Sequence, residues 1–141
     1  MTDQIFSYRS VLIAFLALVG GSHVLAQQAY DWISASEMRE ELFGISMMGV
    51  VGGDPNGTVP WEECVDPDGH TRYSVGNQEP SVGVMTVSES GHACFNYGSA
   101  DHCFRVARRG DNYTFRTDGG TTYVTLKVVR DIRQCRNGLV S

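Results

Sequence analysis

Lysine, proline and long apolar runs are scarce in this chain. Lys127 is the single lysine, and four prolines are spread over 141 residues. With 16 acidic against 11 basic residues the formal net charge is −5, which excludes wholesale nucleic-acid binding through a basic surface. The main apolar run, Val11–Val19, is nine residues long, under half of the roughly 20 needed to span a bilayer. No Gly-x-Ser-x-Gly elbow is present, so an α/β-hydrolase nucleophile has no sequence basis. No phosphate-cradling loop precedes a helix, which leaves nucleotide binding unsupported. Scarce proline contrasts with 16 glycines and an apolar content of 42%. That combination excludes a disordered chain and points to short strands joined by tight turns.

The first 26 residues read as an export leader. Arg9 supplies the positive charge, Val11–Val19 the apolar stretch, Gly20-Gly21-Ser22 the break and Val24-Leu25-Ala26 a small-residue cleavage site. On this reading residues 1–26 are removed. Residues 27–141 then form one exported domain, periplasmic or extracellular, that does not span the membrane. Cys64, Cys94, Cys103 and Cys135 all fall within it. Four cysteines in an oxidising compartment imply two disulfides, with three possible connectivities. His92, Cys94, His102 and Cys103 match no zinc-ligand spacing, so neither a metal nor another cofactor is expected.

Ser34-Ala35-Ser36-Glu37 has the pattern of a capping box, followed by Met38 and Leu42 at helical spacing and by Gly44 as a stop. A short helix is therefore predicted over 35–43. The remainder alternates, with strands predicted over 45–51, 58–65, 70–76, 82–88, 92–97, 101–108, 112–117 and 121–129. Turn residues separate them, among them Asp66-Pro67-Asp68-Gly69, Gly98-Ser99, Gly110-Asp111 and Asp118-Gly119-Gly120. Arg109-Gly110-Asp111 spells an adhesion tripeptide but stands where a hairpin turn is expected. Eight antiparallel strands in a meander close most economically into a small calycin-like or lipocalin-like β-barrel, which removes unpaired edges. A β-sandwich is the alternative.

One hairpin is legible in register. A two-residue turn at Gly98-Ser99 pairs Tyr97 with Ala100, Asn96 with Asp101, Phe95 with His102 and Cys94 with Cys103. The cysteines then occupy a non-hydrogen-bonded pair, where side chains stand closest and a disulfide fits. Cys64 and Cys135 pair by elimination. The same register sends Ala93, Phe95, Tyr97, His102, Phe104 and Val106 to one face and Cys94, Asn96, Asp101, Cys103 and Arg105 to the other. The apolar set is predicted to line the interior. Tyr113 and Phe115 extend it, as do Trp61, Met85, Val87, Val124, Leu126 and Val128.

Three stretches together carry a likeness: Asp66-Pro67-Asp68-Gly69, then Gly83-Val84-Met85, then Ala93-Cys94-Phe95-Asn96-Tyr97 with Cys103. With the helix from Glu37 to Gly44, the chain resembles a family of small exported bacterial proteins designated only as a domain of unknown function. The likeness covers nearly all of residues 27–141. Met85 stands where that family has tryptophan, and Ala93 where it has leucine. The resemblance implies a small disulfide-pinned barrel and carries no activity with it.

The candidate interior pocket is Phe95, Tyr97, His102, Phe104, Tyr113 and Phe115, with His102 as a core histidine. Glu62 and Glu63 adjoin on a strand, face opposite ways and cannot share a proton. Charge is polarised along the chain. Residues 27–90 hold eleven acids and two arginines, whereas residues 91–141 hold four acids against seven arginines and Lys127. Arg105, Arg108, Arg109 and Arg116 form a candidate patch for an acidic protein, glycan or lipid surface. No catalytic constellation emerges, so an enzyme is not expected. The leading expectation is an exported binding module for a small apolar ligand or a protein partner. Two alternatives are an inhibitor of a secreted hydrolase such as lysozyme, and an envelope-associated structural protein.

Overall fold

Alternating apolar residues and closely spaced turns produce nine strands and one helix among the described residues. The computed structural model describes residues 29–52 and 59–135; the proposed leader, residues 1–26, lies outside the described residues. The elements run β1 (Asp31–Trp32), α1 (Ala35–Glu41), β2 (Ile45–Val51), β3 (Pro60–Val65), β4 (His70–Val75), β5 (Ser81–Val87), β6 (Ala93–Asn96), β7 (Asp101–Arg109), β8 (Asn112–Arg116) and β9 (Thr122–Val129). Strands β2 to β9 pair antiparallel in sequence order, and β9 returns to pair with β2. The result is a closed eight-stranded barrel. The two-residue β1 pairs with Arg108 and Ala107 of β7. It takes the edge of β7 beyond the point where β6, paired only to residues 101–104, stops.

Helix α1 is seven residues long, too short to persist alone. Its capping box is formed. The Glu37 amide donates to Ser34 Oγ at 3.3 Å, and the Ser34 amide donates to Glu37 Oε2 at 2.7 Å. Such a cap contributes about 1 kcal/mol. The larger contribution comes from Met38 and Leu42, both fully buried in the same core as Ile45, Met85, Val106 and Tyr113. Arg39 donates to the Val87 carbonyl, and Tyr113 donates to Glu41. The helix thus lies across the barrel end where β5 and β7 finish and β8 begins. That end is plugged; the end bearing Ser81, Tyr97, His102 and Tyr123 is the open one.

Both disulfides pair as expected, the first from the hairpin register and the second by elimination. Cys94–Cys103 bridges β6 and β7, nine residues apart in sequence, and Cys64–Cys135 ties β3 to the chain after β9, 71 residues apart. The hairpin ladder matches the expected pairs Asn96–Asp101, Phe95–His102 and Cys94–Cys103, but stops one pair short of Tyr97–Ala100. There the Gly98 amide turns to the Asn96 side chain at 2.8 Å, with Gly98 at a φ of +105° that only glycine adopts without strain.

The face assignment holds for β6 to β8 and for Val128 on β9, and fails on β9 at Leu126. A bulge opposite Met48 and Gly49 makes the register jump from Lys127 to Thr125. One extra residue reverses the inward set beyond it. Tyr123, Thr125 and Val128 therefore face the interior; Val124 takes the other face with its partner Thr114 yet is buried, and Leu126 is 56% exposed. Gly49, opposite the bulge, has no room for a side chain. A Cβ there would stand 1.9 Å from the Val124 carbonyl oxygen and 2.8 Å from the Trp61 ring, so the indole lies directly on the β2 backbone.

Candidate functional site

The period-two alternation of β3 sends Trp61, Glu63 and Val65 inward. Glu63 thereby becomes a carboxylate inside an apolar barrel, with only 5% of its surface exposed. The Tyr97 hydroxyl donates to its Oε2 at 2.5 Å, and the Thr71 hydroxyl donates to its Oε1. Burial is the main influence on its acidity and outweighs the two hydroxyl donors, raising the carboxyl pKa to about 7. Tyr97 is pushed far up, first by burial and then by the Glu63 charge beside it. Tyr73, on the neighbouring strand, is pushed up to about 12, again mainly by burial.

Above Glu63 the open end of the barrel forms a half-open cavity of about 400 Å³, within the range of small-molecule sites. Its wall is aromatic. Phe104 meets Phe115 and Tyr123 edge-on at 6.1 and 5.5 Å, and Phe95 lies at 5.9 Å from Phe104. Tyr73 and Tyr97 complete the ring beside Glu63, with centroids 5.8 Å apart. Trp61 and Met47 also line the cavity. The buried Trp61 Nε1 has no hydrogen-bond partner.

Five of the six expected pocket residues meet in this cavity: Phe95, Tyr97, His102, Phe104 and Phe115. His102 does so from the rim. It shares the inward register but is exposed, its ring 6.3 Å from that of Tyr97, so it is not a core histidine. Tyr113 is the exception. It is buried under the plug, where its hydroxyl donates to Glu41 at 2.8 Å and accepts from Arg130 at 2.8 Å. Glu63, Tyr73 and Tyr123 were not anticipated. The signal for Glu63 was present in its parity with Trp61 and Val65.

The arginine patch is broken up. Arg108 sits among Asp31, Glu37 and Glu41, at 3.2 Å from Asp31 and 3.1 Å from Glu37, with Glu41 as its third partner. Its hydrogen bond is the chief reason that Glu41 is held below the ordinary carboxylate range. Arg108 therefore anchors β1 and α1 to β7. It shares inward parity with Val106, which carries it to the plugged end. Arg105 lies over the Trp32 ring at 4.1 Å, and Arg116 over the Tyr30 ring at 5.8 Å. Both remain exposed, as does Arg109.

Cys64, Asp66 and Cys135 come within metal-binding distance of one another. Both sulfurs are consumed in the disulfide, and Asp66 accepts from the Cys135 amide. That chemistry does not fit a metal. No helix among the described residues is long and apolar enough to cross a membrane.

Fold and cavity together define a small β-barrel domain with one helix and two disulfides. No family model, curated protein or solved structure matches the chain.

Proposed function

We propose that this domain is a binding barrel that takes a small, mostly apolar molecule through its open end. One observation carries the reading: a cavity of about 400 Å³, walled by aromatic rings, with the buried Glu63 carboxylate at its side. A barrel evolved only for stability would fill that space with side chains. The leader-like N-terminus and the two disulfides support an exported protein, in keeping with the resemblance to small exported bacterial proteins.

Native mass spectrometry of the protein purified without denaturation tests the binding reading. The expected result is a retained mass of a few hundred daltons, lost on unfolding. Trp61 supplies a second readout, because a ligand in the cavity touches its ring and changes its fluorescence. The reading fails if the protein is always empty and a panel of small aromatic compounds leaves that emission unchanged.

A further inference from the structure

The wall of the cavity contains an asymmetry of charge. Among the described residues Glu63 is its sole carboxylate, and no lysine or arginine lines it. Both Glu63 oxygens are met by hydroxyls, from Thr71 and Tyr97, which donate hydrogen bonds but bring no positive charge. A buried carboxylate paired only with neutral donors is an incomplete ion pair. Around it stand the faces and edges of Tyr73, Phe95, Phe104 and Tyr123, and aromatic faces attract cations. Among the described open-end turns, 76–80 holds Glu79 and 117–121 holds Asp118, with Arg116 at the end of β8 beside the latter.

We infer that the ligand is a small organic cation, an amine or quaternary ammonium on an apolar or aromatic body. Its positive head pairs with Glu63, and its body fills the ring of aromatics. This inference rests on the binding-barrel reading and specifies the ligand's chemistry. An anionic or purely hydrocarbon ligand would leave the Glu63 charge unpaired.

The test compares three probes of one shape by isothermal titration at pH 8: 2-phenylethylammonium, 2-phenylethanol and 3-phenylpropionate. The cation is expected to bind about tenfold or more tightly than the alcohol, and the anion not measurably. Glu63→Gln, checked for folding by near-ultraviolet circular dichroism, should bring the cation to the affinity of the alcohol. A quaternary analogue, whose charge does not titrate, should bind more weakly as Glu63 takes up its proton. With that carboxyl at about 7, the loss from pH 8.5 to 5.5 is up to about 30-fold. The other groups facing the cavity are Tyr73 from β4, Tyr97 beyond β6, His102 from β7 and Tyr123 from β9. Of these, His102 serves as the control. His102→Gln should therefore retain the pH dependence, and Glu63→Gln should lose it. Equal binding of alcohol and cation, or a pH dependence that follows His102, overturns the cation assignment and leaves the binding barrel standing. Binding of none of the three overturns the binding reading as well.

Discussion

Replacing Glu63 by glutamine should change how stability depends on pH. In the folded protein the Glu63 carboxyl has a pKa of about 7 against an ordinary 4.5. The folded state thus holds a proton that the unfolded chain has already released. The associated stability is fully present below pH 4.5 and is lost as pH rises to about 7. The difference of pKa corresponds to about 3 kcal/mol. Glutamine keeps the shape and an oxygen to accept from Tyr97 or Thr71, but it does not ionise. The mutant-minus-wild-type difference in unfolding free energy should be flat below pH 4.5, climb in favour of the mutant by about 3 kcal/mol, and level off above 7. A melting-temperature gap opening by on the order of 10 °C would accompany it. Glu37 and Glu41, held low by Ser34 and Arg108, act in the opposite direction. They stabilise the fold above pH 4.5 and lose that effect as the solution is made more acid, equally in both proteins. Urea titrations at half-unit pH intervals measure the difference directly. A difference curve with no rise between 4.5 and 7 would show that Glu63 is as well solvated as an exposed acid, and the account of the cavity would fall with it.

Gly49→Ala should cost about 3 kcal/mol or more, because its Cβ meets the Val124 carbonyl at 1.9 Å; thermal melts followed by far-ultraviolet circular dichroism would report it. Leu126→Asp should alter stability by less than about 0.5 kcal/mol, whereas Met47→Asp should prevent folding; a large loss at Leu126 would restore the unbulged register. Replacing Cys64 and Cys135 by serine should cost about 4 kcal/mol and the Cys94–Cys103 pair about 3, given closed loops of 71 and 9 residues; denaturant midpoints of the two double variants give the comparison. Arg108→Gln should raise the Glu41 carboxyl pKa, measurable by NMR titration, because Arg108 is the main cause of its depression.

The strand pattern was legible because each turn announces itself chemically. Asp66-Pro67-Asp68-Gly69 and Gly98-Ser99 have few other uses, and the alternation between them then sorts the faces. The Cys94–Cys103 pair followed from counting outward from one turn. What escaped depended on contacts distant in sequence. Nothing local in Val124-Thr125-Leu126-Lys127-Val128 announces an extra residue; the bulge exists because β9 must pair with a β2 strand in which Gly49 lies under the Trp61 ring. Two residues, β1, are too few to carry a period. Along the chain Arg108 belongs to an arginine-rich stretch, and only its parity with Val106 turns it to the plugged end. The same kind of parity places Glu63 indoors, two residues from both Trp61 and Val65.

The pairing of β9 with β2 also sets the order in which this molecule can assemble. Every other strand of the barrel bonds to its immediate successor, and each hairpin can form as soon as its own residues exist. The seam between β2 and β9 joins Ser46 to Val129 and Val51 to Tyr123, partners that stand at opposite ends of the domain. The hydrogen-bonding edge of β2 must therefore wait, unsatisfied, until the last strand arrives. Such distant closure is slow and leaves an exposed template for pairing with another molecule. The Cys64–Cys135 bond lies beside this seam, joining the strand next to β2 with the residues just past β9. Once formed, it turns each later opening of the seam into a local event whose two sides cannot diffuse apart. Under oxidising conditions refolding should be nearly independent of protein concentration; with that bond reduced, self-association through β2 becomes the competing fate.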